Sequence, residues 1–260
     1  MTIYLDIGQA TDTGKVRDHN EDGFLIDPDL RLAAVADGIG GHRGGEVASA
    51  TALDTLHASF IEHGGLRDAV IAANDAVIAR ADATPELRGM GTTLTAGVLG
   101  DDDTLLVGHV GDSRAYLVRD GELSRITTDH SLVEELIAAG ELTEEEAERD
   151  PRRSMITRAL GLEPGMVVDL YPVPLLPGDR VMFCSDGLTT MVGEDAIADV
   201  LGSEASPDAA AHRLVDAANA AGGVDNTTVV VLDALEAPVE VVDDGASGRG
   251  RRFGILRRRR

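Results

Sequence analysis

Cysteine is all but missing from this sequence: Cys184 is the only one in 260 residues. No disulfide can form within the chain, and a reducing cytoplasm is the setting that fits. Tryptophan is absent and aromatics make up 3%. The core must therefore be Val, Leu, Ile and Ala, and nucleic-acid readout by aromatic stacking lacks its material. Positive charge is scarce too. Lys15 is the only lysine, and 23 basic residues face 46 acidic ones, a formal net charge of −23. Such a surface repels nucleic acid. No apolar run reaches the ~18 residues of a membrane span, and no signal pattern opens the chain. The expectation is a cytoplasmic monomer with no nucleic-acid partner.

What is present reads in blocks. Ile3–Gly8, Gly23–Ile26 and Leu32–Ala36 read as strands, with a polar turn from Gly14 to Asp22. Two helical patterns follow, Glu46–Glu62 (Val47, Ala50, Leu53, Leu56, Phe60) and Leu66–Ala83 (Ala69, Val70, Ala73, Val77, Ile78), split by Gly64-Gly65. Thr92–Leu99, Thr104–Val110 and Ala115–Val118 are short strands with turns at Asp101-Asp102-Asp103 and Asp120-Gly121, spaced as an antiparallel meander. Residues 130–160 are helical, polar and irregular, the pattern of a surface flap. Strands resume at Val167–Tyr171 and Arg180–Cys184, helices at Asp195–Leu201 and Asp208–Ala221, and Thr227–Leu232 is a last strand. The class is α+β: two central sheets flanked by helices, in one domain over 1–235. Residues 236–260 read as a flexible linker and an Arg-rich tail. Its seven arginines from Arg249 to Arg260 surround Phe253, Ile255 and Leu256. It is read as a solvated tail or as a peripheral contact with a membrane surface.

Four segments share one design, an apolar run, then an acid, then a small or turn residue. They are Val35-Ala36-Asp37-Gly38, Val110-Gly111-Asp112-Ser113, Phe183-Cys184-Ser185-Asp186-Gly187 and Val224-Asp225-Asn226. Any one alone is an ordinary strand-end turn. Four acids at neighbouring strand ends would repel, and divalent cations remove that cost. An oxygen-only donor set favours Mg²⁺ or Mn²⁺, and two such ions are a recurrent device for hydrolysing phosphate esters. In the turn ahead of them, Arg17 offers a fork that suits phosphate. Glu21 and Asp22 can act through metal-bound water.

Rival chemistries fail on spacing. Gly14-Lys15 is followed by Val16, not by the Ser or Thr of a phosphate-binding loop. The glycines from Gly38 meet Arg43 where a dinucleotide fingerprint needs its last glycine. Thr190 stands where a cysteine phosphatase loop beginning at Cys184 needs arginine. No G-x-S-x-G occurs. Cys184 reads as a small core residue.

Taken in order, Arg17-Asp18-His19-Asn20-Glu21-Asp22, Asp37-Gly38-Ile39-Gly40-Gly41-His42, Gly91-Thr92-Thr93, Gly111-Asp112-Ser113-Arg114, Ser185-Asp186-Gly187 and Asp225-Asn226 resemble the metal-dependent protein phosphatases of type 2C. The likeness is to their bacterial serine/threonine branch and spans about residues 3–234. It implies a four-layer α-β-β-α sandwich with two antiparallel sheets, and a phosphoric monoester hydrolase acting on phosphoserine and phosphothreonine. It implies two Mn²⁺ or Mg²⁺ ions. Asp37 would bridge them and Gly38 would lend its carbonyl. Asp186 and Asp225 would complete one ion, Glu21 and Asp22 would act through water, and Arg17 would hold the phosphate. Asp112 with Asp186 would take a third, weaker ion. Some members carry a histidine directly after the Asp-Gly; here that place is Ile39, and His42 follows three residues on. Thr190 stands where some members have a further acid. The expected role is to oppose a bacterial serine/threonine kinase. A phosphatase of a partner-switching stress pathway and a non-catalytic phosphoprotein binder share the fold.

Overall fold

The computed structural model describes residues 3–40 and 44–237. His42 and the Arg-rich tail lie outside the described residues. The first third of the chain forms β1 (Ile3–Asp12), β2 (Asp22–Asp27), β3 (Leu32–Ile39), α1 (Gly44–His63) and α2 (Leu66–Ala83). After a 3-10 turn at Pro85–Leu87 come β4 (Gly91–Thr92), β5 (Leu94–Leu99), β6 (Thr104–Val110), β7 (Arg114–Arg119) and β8 (Glu122–Arg125). Then follow α3 (Leu132–Ala138), α4 (Glu144–Glu148), β9 (Asp169–Pro174), β10 (Arg180–Cys184), α5 (Asp186–Thr189), α6 (Glu194–Ser203), α7 (Pro207–Ala220) and β11 (Thr227–Glu236).

The strands form two sheets, ordered β1-β11-β10-β7-β8 and β2-β3-β5-β6-β9, with β4 beside β3. The paired strands run antiparallel. The central strands are apolar on both faces, and the period-2 pleat sends alternate residues to different layers. On β3, Leu32, Ala34 and Ala36 pack with α1 and α2, while Ala33 and Val35 join Phe183 and Val230 between the sheets. On β10 and β11, Met182, Cys184, Val229 and Val231 face α6 and α7. The result is helix, sheet, sheet, helix, as the class reading expects.

Two local expectations change. The meander over 92–118 is broken: β6 lies in one sheet and β7 in the other, and the chain crosses between them at 111–113. Ala50 faces solvent, and Ala48 and Ala52 take its place beside the expected Leu53 and Leu56. Residues 130–160 lie between β8 and β9 and add no strand to either sheet. Their acidic run has a local reason. Thr143 and Glu146 form a reciprocal capping box, so Glu144, Glu145 and Glu146 fill the first turn of α4, where the helix dipole favours negative charge.

Candidate metal centre

Antiparallel pairing brings the acids to one end of the gap between the sheets. Asp37 lies near the end of β3 and Asp22 opens β2, so the two are direct cross-strand partners. Asp37 continues the inward-facing series Ala33, Val35. Across the gap, Ser185 and Asp186 follow β10, and Asp225 precedes its antiparallel neighbour β11. Asp112 sits in the crossing from β6 to β7, which joins the two sheets at this rim.

Like charges directly opposite in a sheet are destabilising, and burial sharpens that cost. Burial, then Asp22, Asp186 and Asp112, push the Asp37 carboxyl well above the usual range, and it shares a hydrogen bond with Asp186. Burial raises Asp22 to about 7 against the opposing hydrogen bonds of Ser185 and Thr228. Burial, Asp186 and Asp129 raise Asp112 to about 8. Asp186 is raised by burial and by Asp225, against its bond to Asp37.

At the open edge of this group, Arg17 donates to Asp225 at 2.7 Å, with half of the Arg17 side chain exposed. That bond raises the guanidinium above its ordinary value. Burial raises Glu21, opposed by Arg17. Asn226 ties the turn to β11: its side-chain oxygen accepts from the Glu21 amide at 2.8 Å, and its NH₂ donates to the carbonyls of Thr13 and His19. The Gly38 amide donates to the Glu21 carbonyl at 3.2 Å. A Cβ on Gly38 would stand 2.3 Å from the Gly45 carbonyl oxygen, so only glycine lets the start of α1 pack here.

Several residues that position the acids stand in the quoted motifs, but what each one binds is visible only in the fold. Ser185 donates to Asp22 at 2.7 Å and accepts from the Thr228 amide at 2.9 Å, linking the sheets through one hydroxyl. Thr93 accepts from the Asp37 amide at 2.9 Å and bonds Ser113 at 2.7 Å, joining the Asp37 and Asp112 segments. Thr92 donates to the Asp37 carbonyl at 2.9 Å. Gly187 is the tightest contact at the rim: a Cβ there would stand 1.9 Å from the Asn226 carbonyl oxygen. Gly187→Ala is therefore expected to push α5 off β11, costing about 1–3 kcal/mol of stability and weakening metal affinity. Thermal unfolding and Mn²⁺ titration check both.

The donor set suits hard divalent cations. It is oxygen-only, and Asp22 Oδ1 and Asp112 Oδ1 are buried with no hydrogen-bond partner among the described residues. Among those residues no three His, Cys, Asp or Glu side chains converge closely enough to hold an ion as they stand. Two of the acids have a local side-chain partner instead: Ser185 donates to Asp22 and Arg17 to Asp225. The acids are gathered by the backbone, and their final aim is a matter of side-chain rotation. Beside Asp112 and Asp186 a cleft of about 710 Å³ runs beneath residues 133–154, past Thr190 and Arg153.

The chain is similar to known proteins. Residues 15–219 match the family "Protein phosphatase 2C". A serine/threonine phosphatase stp from Listeria welshimeri is 39% identical over 236 residues, covering 86% of this chain and 93% of its own length. The serine/threonine protein phosphatase PstP of Mycobacterium tuberculosis is 42% identical over 247 residues, 91% of this chain, which spans 46% of that longer protein. A crystal structure of a PstP catalytic domain with two manganese ions superposes with a TM-score of 0.82 at 39% identity, covering 90% of this chain and 100% of that one. With the two-sheet sandwich and the gathered rim acids, these matches show that the chain belongs to the protein phosphatase 2C family, on its bacterial serine/threonine branch.

Proposed function

We propose that this chain hydrolyses phosphoserine and phosphothreonine on proteins with a dinuclear Mn²⁺ or Mg²⁺ centre at the sheet rim. One observation carries the reading: Asp22, Asp37, Asp112 and Asp186 stand together with raised pKa values, Asp112 buried and the others half-buried, and the cations that act on them, Arg17 and Arg114, are already engaged by Asp225 and Asp129. Bound divalent ions supply that balance, Lewis acidity and an activated water. Asp37 and Gly38 would hold the pair, Asp186 and Asp225 would complete one ion, and Glu21 and Asp22 would act through water. Asp112 with Asp186 would hold a third, weaker ion. The manganese-bound PstP catalytic domain supports the choice of two ions.

Arg17 holds the phosphate. It is half exposed and already engaged by a carboxylate oxygen of Asp225, so its fork is aimed at the rim. A charge-assisted bond of this kind contributes about 1.5–3 kcal/mol. Arg17→Ala is expected to lower kcat/KM about 10–100-fold, with much of the loss in KM, and to leave the two tighter ions bound. Steady-state kinetics on a phosphothreonine peptide check this.

The substrates are phosphoproteins, a serine/threonine kinase among them, and residues 1–235 act as a monomeric catalytic domain. Among the described residues no helix is long and apolar enough to cross a membrane. The Arg-rich segment 249–260 is read as a solvated tail, with a peripheral contact with a membrane surface as the alternative. Phosphate release from a phosphothreonine peptide, with Mn²⁺, with Mg²⁺ and with chelator, tests the reading. Release with metal and none with chelator is expected; metal-independent release, or none under any condition, would sink it.

A further inference from the structure

The crossing that carries Asp112 is held from one side by His130. The Gly111 amide donates to His130 Nδ1 at 2.9 Å, and the His130 amide donates back to the Gly111 carbonyl at 2.7 Å. Gly111 has φ +112, in the left-handed region, and a Cβ there would stand 2.5 Å from the Thr93 methyl. This turn requires glycine, and His130 closes it through both its ring and its backbone amide. Asp112 Oδ1 has no partner of its own among the described residues, so the placement of the turn sets the point from which that carboxylate reaches into the rim.

The His130 ring is buried, and its tautomer is set by its neighbours. With Nδ1 accepting from Gly111, the proton stands on Nε2, which donates to Asp169 Oδ2 at 3.0 Å. Arg158 Nη1 binds the other oxygen of Asp169 at 3.2 Å. Its 2.9 Å approach to Nε2 is then a contact between two donors that bind the same carboxylate. His109 lies against the ring at 4.8 Å. His130 also closes the base of the flap: its carbonyl accepts from the Thr157 amide at 2.8 Å, and the Leu132 amide donates to the Met155 carbonyl at 2.9 Å. Both arms of the segment from 130 to 158 therefore meet at the residue that holds the Asp112 turn.

We propose that His130 is a positioning residue that, through the Gly111 amide, aims Asp112 at the third, weaker ion and couples that aim to the base of the flap. The inference rests on the reading of Asp112 as an ion ligand, and it concerns how that ligand is held. Partners that orient a ligand typically change metal affinity about 10–100-fold when removed.

The test uses the full chain and counts bound Mn²⁺ by the electron paramagnetic resonance of the free ion, so it does not depend on turnover. Asp112→Asn calibrates it by marking which binding step belongs to Asp112. His130→Ala is expected to weaken that step about 10–100-fold while the two tighter ions stay. His130→Asn, whose side-chain oxygen can stand where Nδ1 stands, is expected to restore most of it. Should His130→Ala fold poorly, Asp169→Ala removes the bond that sets the tautomer and carries the same prediction from a partly exposed site. If Asp112→Asn abolishes the weak step and neither His130→Ala nor Asp169→Ala moves it, the positioning role is wrong and the ligand reading stands. Equal losses in His130→Ala and His130→Asn would reduce the ring to packing against His109. A weak step untouched by Asp112→Asn would overturn the ligand reading, and the proposal with it.

Discussion

Asp37→Asn is expected to cut metal-dependent phosphate release about a thousandfold or more, the loss of several kcal/mol of Lewis-acid stabilisation. The substitution keeps shape and hydrogen bonding to Thr93 and Thr92, since those bonds use the Asp37 backbone. What it removes is one negative charge at the point where Asp22, Asp112 and Asp186 all act on the same carboxylate. The metal-free protein should respond in the opposite sense. With one fewer mutually repelling carboxylate, Asp37→Asn is expected to unfold at a higher temperature than the unsubstituted chain in chelator. Activity falling while metal-free stability rises separates a functional acid from a structural one. Full activity of Asp37→Asn at saturating Mn²⁺ would remove Asp37 from the centre.

The rim acids were legible because Asp37, Asp112 and Asp186 stand at or just past the end of an apolar strand, Asp225 stands just before one, and each is followed by a small or turn residue. Asp37-Gly38, Asp186-Gly187 and Asp225-Asn226 all carry that local mark. Strand alternation and turn chemistry are short-range, and they placed β6, β10 and α2 at the residues where the structure has them. What holds the acids is long-range. Ser185 binds Asp22 from 163 positions away, Asn226 binds the Glu21 amide from 205, and Thr93 reaches Ser113 across 20. A serine or threonine looks alike in sequence whether it bridges two sheets or faces water. The break in the meander at 111–113 was illegible for a related reason. Strands of either sheet show the same period-2 signal, and nothing local to Gly111 says which sheet the next strand joins. Alanine-rich α1 misled differently. With alanine on several faces, the stripe through Ala50 and the stripe through Ala48 and Ala52 read equally well.

The metal-free protein is expected to lose stability as pH rises from 5 to 8, and Mn²⁺ is expected to restore it most at the upper end. The unfolded carboxylates titrate near 3.8, whereas Asp22 is held at about 7 and Asp112 at about 8 in the folded chain. Between those limits the folded state binds more protons than the unfolded one, so stability falls with rising pH. The contribution is complete below the unfolded value and is lost as pH passes through about 7 and about 8. A carboxyl held at about 7 rather than 3.8 corresponds to about 4 kcal/mol at the extremes. The acids are mutually coupled, so the total is less than their sum. Divalent ions compete with these protons and bind only the folded rim, so their stabilisation grows with pH as protons are displaced. Thermal unfolding at pH 5, 6, 7 and 8, in chelator and in Mn²⁺, reads both trends, and Asp22→Asn or Asp112→Asn should flatten the chelator series. A metal-free midpoint that is level or rises across this window would mean that the buried acids carry their charge without penalty. The electrostatic case for a cation at this rim would then fail, however well the individual residues are placed.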